Sequence, residues 1–221
     1  MPHDASYGCK LTPTIERLPA DRLPLGFLGL PINAYALLGD GFSILVDAPF
    51  MACMDALCDL ERRGFPPWAM VLTGGDIADL GDGYGELAAN FGLSFHLHRA
   101  DHRRISGRRV FRDLPDRGTR AFLGMEIAEC PATTRGAVLI HLPWSRGLFI
   151  GDHGGLPRND AQDGRPARLC LPEITADLAG YLRAWRAQMR ARAPDLVLPS
   201  QGPPLSRNRL GGLLDDVLIP D

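Results

Sequence analysis

Two aspartates, Asp76 and Asp79, stand three residues apart in "MVLTGGDIADLGDGYGELAANFG", residues 70–92, with no histidine, cysteine or lysine beside them. The stretch reads as a buried strand, a turn rich in glycine and aspartate, and then a helix, and the junction of strand and helix is where α/β enzymes place their chemistry. Carboxylates there suit three roles: ligands to a metal ion, part of a phosphate-binding loop, or caps on the following helix. The phosphate role is the weakest, since Gly74-Gly75 and Gly81-Asp82-Gly83 are not followed by Lys-Ser/Thr and their spacing fits neither GxxxxGK nor GxGxxG. A metal held by aspartate oxygens would be a hard cation. A cap needs only that Asp76 or Asp79 accept a backbone N–H at the start of a helix beginning near Gly83.

Other reactive side chains lie outside this stretch. "HLHRADH", residues 96–102, puts His96 and His98 on one face of a strand and Asp101 and His102 in the turn or helix that follows, and it reads as an ordinary surface or strand-end histidine group. Cys130 ends a strand without a basic neighbour in sequence, so its thiol should stay protonated. The five cysteines, Cys9, Cys53, Cys58, Cys130 and Cys170, are odd in number, scattered and without a CxxC pair, which signals neither a disulfide framework nor a cysteine zinc site. Most of them read as small buried hydrophobes.

Positioning these groups requires a fold, and the apolar periodicity outlines one. "INAYALLGDGFSILVDAPF" holds two apolar runs, residues 32–39 and 42–48, joined by the hairpin signal Asp40-Gly41, so an antiparallel pair opens the fold. "FMACMDALCDLERRG" spaces Met51, Met54, Leu57, Cys58 and Leu60 at helical intervals, with Gly64 ending the helix and Pro66-Pro67 barring its continuation. "WAMVLT" is a wholly apolar run of the central-strand kind, followed by a helix over residues 84–92 and a strand, "LSFHLH".

The second half repeats this grammar. "GMEIAEC" and "GAVLIHL" are strands, "PWSRG" a turn, and "GLFIGDHGG" a strand ending in an acidic, glycine-rich loop. After a Pro- and Gly-rich excursion from Gly154 to Pro172, a helix over residues 173–192 carries the apolar stripe Ile174, Leu178, Tyr181, Leu182, Trp185 and Met189. "DLVLPSQGPPLS" supplies one more strand and loop, and a last helix begins near Ser206. Two halves of strands, helix, strand and loop predict two sheets face to face with helices outside.

Composition narrows the partners. At 221 residues and 45% hydrophobic content the chain has material for one substantial core, and a single domain over residues 1–221 is expected. A net charge of -2 supplies no basic field for nucleic acid. No apolar run approaches the roughly 20 residues that cross a bilayer. The expected partner is a small-molecule ligand or substrate, or another protein, with association between copies of the chain left open. Of 24 basic residues only Lys10 is lysine, a bias that reads as GC-rich codon usage. The N-terminus "MPHDASYGCK" lacks the charged start and apolar core of a signal peptide, making the cytoplasm the expected location.

Taken in order, these landmarks resemble the metallo-β-lactamase superfamily. "NAYALLGDGFSILVDAP" is similar to its opening hairpin with a trailing aspartate, and "VLTGGDIAD" stands where the family has a strand ending in Thr-His-x-His-x-Asp-His. "CPATTRGAV" stands where Pro-Gly-His-Thr-Pro-Gly-Ser would be, "LFIGD" matches the strand that delivers a bridging aspartate, and "LVLPSQGPP" matches the late strand ending in Pro-Gly-His-Gly. The match runs over residues 30–205 and implies an α/β (α+β) fold, a four-layer αββα sandwich, with its site at one edge. The family's strand after the metal loop lies away from that site, which removes "HLHRADH" from it.

Residue by residue, the resemblance puts Gly74 at the first ligand histidine, Asp76 at the second, Ala78 at the ligand aspartate, Asp79 at the third histidine, Thr133 at the next motif's histidine and Gln201 at the last. Only Asp152 keeps the family's residue. With every ligand imidazole gone, no dinuclear zinc is expected. Asp76, Asp79, Asp152 and Gln201, with Thr133, form an oxygen-only set suited to one hard divalent cation (Mg, Mn or Ca) or to none. His153, beside Asp152 at the cleft mouth, is the candidate general base, so the catalytic pair is Asp152 and His153. Two functions follow: a divergent hydrolase-like protein acting on a small ester, thioester, lactone or amide, or a non-catalytic ligand-binding or scaffold protein derived from that fold.

Overall fold

The computed structural model describes residues 14–18, 33–103, 111–114, 120–122, 124–131, 134–151, 178–200 and 204–206. Strand β1 (Thr14–Leu18) pairs antiparallel with β2 (Ala34–Leu38), which turns at Asp40-Gly41 into β3 (Ser43–Val46). Gly41 has φ +79, a backbone state that suits glycine at this hairpin tip. A 3-10 turn over Met51–Cys53 leads into α1 (Met54–Arg62), and β4 (Pro67–Val71) returns parallel to β3. Next come α2 (Gly75–Leu80), α3 (Tyr84–Phe91), β5 (Ser94–Leu97) and β6 (Phe111–Asp113), the two strands extending the parallel pairing. The first sheet therefore reads β1-β2-β3-β4-β5-β6.

The second sheet has the order β12-β11-β10-β9-β8-β7. Its members are β7 (Arg120–Phe122), β8 (Met125–Glu129), β9 (Val138–Leu142), β10 (Gly147–Gly151), β11 (Leu196–Pro199) and β12 (Leu205–Ser206). All its pairs are antiparallel except β10 with β11, whose crossover includes α4 (Leu178–Arg192).

Side chains that alternate along these strands divide into three cores, which is why the strands are apolar throughout. Between the sheets, Tyr35, Ile44, Val46 and Val71 meet Ile127, Ile140 and Phe149. Their intervening neighbours Leu45 and Met70, with Phe95, face Leu57, Leu60 and Leu87 of α1 and α3. On the far side, Leu139, Leu148, Ile150 and Val197 pack under Tyr181, Trp185 and Met189 of α4. The layers are thus helix, sheet, sheet, helix, the αββα sandwich expected from the sequence. Among the described residues no helix is long and apolar enough to cross a membrane.

Several local expectations change. The hairpin does not open the fold, because β1 precedes it and adds to its free edge. Strands β6 and β7 are too short, at three residues each, to show a period in sequence. Leu205–Ser206 is a strand paired with β11, where the start of a last helix was expected; residues 207–221 lie outside the described set, as do the excursion from Gly154 to Pro172 and the first turn of the helix expected from residue 173. On α1 Leu57 and Leu60 are buried as expected, whereas Cys58 is exposed and drops out of the stripe, and Cys53 of the preceding 3-10 turn is buried.

Trp185 is the bulkiest fully buried side chain, and it seals α4 onto the second sheet. Trp185→Ala should cost about 3–5 kcal/mol of unfolding free energy, measured by urea denaturation, with the outer core of the first sheet keeping its hydrogen-exchange protection longest.

Candidate functional site

One residue at the end of β4 gathers the ends of both sheets. Thr73 donates its N–H to Asp47 Oδ1 and its hydroxyl to Asp47 Oδ2, both at 2.8 Å. Asp47 follows β3 and sits at φ +53, a turn that aspartate tolerates better than most residues and that aims its carboxylate along the edge. The Thr73 carbonyl accepts the N–H of Val138, the first residue of β9, at 2.7 Å, so the junction crosses from one sheet to the other. Gly151, the last residue of β10, lies directly against it: a Cβ at Gly151 would sit 2.2 Å from Thr73 Oγ1. Ser200, following β11, donates its N–H to the Gly151 carbonyl at 2.8 Å, and Asn33 at the foot of β2 donates to the Ser200 carbonyl at 2.6 Å.

The sequence candidates relate to this edge as follows. Asp76 lies in the first turn of α2, half-buried, and Asp79 is exposed one turn later, a spacing that makes them surface neighbours on a helix. Gly74 is the N-cap of α2 and Gly83 that of α3, so neither aspartate occupies an N-cap position, and the capping role expected for Asp76 or Asp79 at Gly83 is corrected. Asp82 has a structural task instead, accepting the Met51 N–H at 2.8 Å. Asp152, His153, Thr133 and Gln201 lie outside the described residues; the chain reaches Asp152 from Gly151 and Gln201 from Ser200, two residues joined by a hydrogen bond.

A residue that sequence reasoning had set aside also belongs to this edge. Asp101, fully buried, accepts the Gly75 N–H on Oδ2 at 2.8 Å, the Thr134 hydroxyl on the same oxygen, and the Gly136 N–H on Oδ1 at 2.9 Å. The segment after β5 therefore does not lie away from the loop after β4 but reaches back to it. Its partners are 26, 33 and 35 residues distant in sequence, which is why "HLHRADH" offered no signal of the role.

Tyr84 closes the other end of α2. Its hydroxyl donates to the Ala78 carbonyl at 2.9 Å, and burial, with the charges of Asp47, Asp79 and Asp82, pushes its pKa up and keeps it a donor. Nothing in its local sequence distinguished it from an ordinary helix-start aromatic.

The described histidines are not a surface group, and each has a partner. His96 and His98 are buried; His96 Nε2 lies 3.0 Å from Ser94 Oγ and His98 Nε2 3.6 Å from Glu129. His102 Nε2 is 3.0 Å from the Leu97 carbonyl, and His141 Nδ1 is 3.1 Å from Glu126. Burial pushes the thiols of Cys53, beside Asp82, and Cys130 up to about 12, so Cys130 is a protonated core side chain and not a nucleophile. Cys9 and Cys170 lie outside the described residues.

No protein-family model and no curated protein sequence matches the chain. Solved structures do. An archaeal metallo-β-lactamase superfamily protein from Sulfolobus tokodaii superposes with a TM-score of 0.68 at 14% identity, over 94% of this chain and 87% of that one. The BLEG-1 B3 metallo-β-lactamase gives 0.65 at 16% identity, over 93% of this chain and all of its own. TTHA1623, in a di-iron-bound form, gives 0.60 at 21% identity, over 85% and 94%. This chain has the metallo-β-lactamase fold, shared with proteins that include β-lactamases and di-iron forms.

That fold raises the question of metal, and the described donors answer for the motif loop. Gly74 offers no side chain, the direction of its absent Cβ leading to Thr134 Oγ1 and Ala137 at 3.6 and 3.7 Å. Ala78 is buried and likewise has no donor. Among the described residues no three His, Cys, Asp or Glu side chains are arranged to hold an ion. A nitrogen-rich dinuclear zinc centre does not fit a loop whose only side-chain donors are the oxygens of Asp76 and Asp79.

The glycines of this edge differ in the room they leave for a side chain. A Cβ at Gly75 or Gly136 would lie 3.0 or 2.7 Å from Asp101 Cγ, whereas Gly74 has room and an extended φ of -170. Gly74→Ala should leave stability within about 0.5 kcal/mol, while Gly136→Ala and Gly151→Ala should each cost about 1–3 kcal/mol in urea unfolding.

His96 supplies a pH prediction. Burial, and then the positive charge of Arg112, lower its pKa from 6.5 to about 4. The unfolded chain binds a proton near 6.5 that the folded protein refuses until about 4, so this contribution to stability is complete above that window and lost as pH falls through it. The urea midpoint should fall between pH ~7 and ~5, and His96→Gln should flatten the fall.

Proposed function

We propose that this chain is a divergent, hydrolase-like protein acting at the Thr73 edge on a small ester, thioester, lactone or amide, with an oxygen-donor site that takes at most one hard divalent cation. The supporting observation is a contrast within a few residues. Thr73 keeps the strand-end frame tightly assembled, while Gly74 and Ala78 supply no ligating atom. A frame maintained to this closeness has a use for the surface it presents, and that use does not run through imidazole-bound zinc.

In this proposal the carboxylates of Asp76 and Asp79 share a magnesium, manganese or calcium ion with Asp152 and Gln201, with Thr133 adding a neutral oxygen. Such an ion would supply charge to polarise a carbonyl oxygen. His153 beside Asp152 would accept a proton from water near neutral pH. The substrate is a small molecule; neither nucleic acid nor membrane is proposed as a partner. The competing proposal is a non-catalytic ligand-binding or scaffold protein, and the solvent exposure of Asp79 is compatible with it.

Metal analysis of protein purified without chelator, followed by melting curves with EDTA and with each cation, separates the two. A cation at about 100 times its Kd should raise stability by about 2.7 kcal/mol, a Tm rise on the order of 5–10 °C. Asp152→Asn should abolish that rise together with turnover of a panel of small esters, thioesters, lactones and amides. Curves that coincide in every condition, with no turnover, would overturn the cation site and favour the binding-protein alternative.

A further inference from the structure

We infer that Asp101 is the positioning residue of this edge: a buried carboxylate that clasps the entry of α2 to the Thr134–Gly136 turn by direct hydrogen bonds. By the resemblance above, these are two segments that bear metal ligands in the family. Here they are joined by hydrogen bonds to one side chain that belongs to neither.

The geometry is that of a site built for a carboxylate. An ionised aspartate only accepts, through two oxygens with about four lone-pair directions, and three donors are delivered to Asp101: two backbone amides and a hydroxyl. Bonds to an ionised acceptor are stronger than neutral ones, and burial keeps water from competing for them. A Cβ at Gly136 would collide with the carboxylate carbon at 2.7 Å, and one at Gly75 would press against it at 3.0 Å, so both backbones are seated closely against Asp101.

Gly75 is also the first residue of α2, and Asp76 and Asp79 lie on the same short helix. Holding the Gly75 amide therefore sets the origin of the helix that presents both carboxylates. On the other side the clasp holds Thr134, the residue after Thr133. The turn that carries Asp101 is in turn held by its own N–H to the His98 carbonyl at 2.9 Å, immediately after β5, so the clasp is mounted on the first sheet.

Asp101→Asn is the sharpest variant. It keeps the shape, but its amide must point one N–H group at a backbone or hydroxyl donor that previously found an oxygen. Thr134→Val removes one donor at constant shape, and Thr134→Ser restores it. In the full-length chain, the Gly75 and Gly136 amide protons should resonate downfield in the wild type and move upfield together in Asp101→Asn. Hydrogen exchange over residues 74–80 and 134–138 should accelerate by about tenfold or more while β3, β4 and β9 stay protected. Thr134→Val should show a smaller change and Thr134→Ser a near-wild-type pattern, which keeps the test decisive if Asp101→Asn fails to fold. Unchanged exchange at both segments, or uniform acceleration across the whole chain, would overturn the clasp.

Its positioning of Asp76 and Asp79 rests on the oxygen-donor site proposed above and is read separately with Mn2+ as the probe. Wild-type binding that weakens about tenfold or more in the Thr134→Val or Asp101→Asn protein supports positioning, and equal affinity overturns it. Wild-type protein that binds no Mn2+ overturns the cation site, and the exchange data then decide the clasp alone.

Discussion

The edge of this protein depends on a single demand: the ends of strands from two different sheets must meet at Thr73. Its amide and hydroxyl are both taken by Asp47, its carbonyl by Val138, and its side chain fills the space in front of Gly151. Two bonds to a buried carboxylate hold the threonine in one rotamer, and a fixed rotamer is what allows β10 to end in contact with it. A strand end secured only by its own ladder would fray; here the ladders of both sheets terminate on shared partners. Asn33 and Tyr35 repeat the device beside it, both donating to the Pro199 carbonyl and tying β2 to the end of β11.

Around that junction the packing tolerance is very small. Glycine at 75, 136 and 151 is required by what lies opposite, Asp101 in two cases and Thr73 in the third. Gly74 differs from its neighbours, because a Cβ there would make only ordinary contacts, at 3.6 Å or more, with Thr134 and Ala137. Buried polar clusters of this kind carry a large penalty if any member is left unpaired, so Asp47 and Asp101 with their donors specify the loop geometry more strongly than apolar contacts would.

The fold itself constrains chemistry only loosely. Superposition at 14–21% identity shows that this chain shares its fold with a protein described as a β-lactamase and with one in a di-iron form, and a shared fold does not fix a shared reaction. In this chain α2 carries the carboxylates of half-buried Asp76 and exposed Asp79, and Gly74 and Ala78 add no donor beside them.

The layered architecture was legible in the sequence because its signals are local. Alternating and continuous apolar runs mark β2, β3, β4, β9 and β10, Asp40-Gly41 marks the hairpin, and the stripe of Tyr181, Trp185 and Met189 marks α4. The absence of histidine from residues 70–92 is equally a property of residue order alone. Strands β6, β7 and β12 escaped because two or three residues at a sheet edge carry too little periodicity to stand out from loop, and β1 because the apolar Ile15 and Leu18 of its five residues do not alternate. The capping role once expected of Asp76 and Asp79 failed for a related reason: α2 begins at Gly75, and a six-residue helix there depends on tertiary bonds to Asp101 and Tyr84 more than on its own propensity. Only the tertiary structure could show that Asp101 belongs to the site, since a hydrogen bond across 26 to 35 residues leaves no trace in the spacing of either partner. Composition and periodicity determine which faces are buried, whereas the pairing of single polar groups is decided by which backbone donors the completed fold brings within about 3 Å.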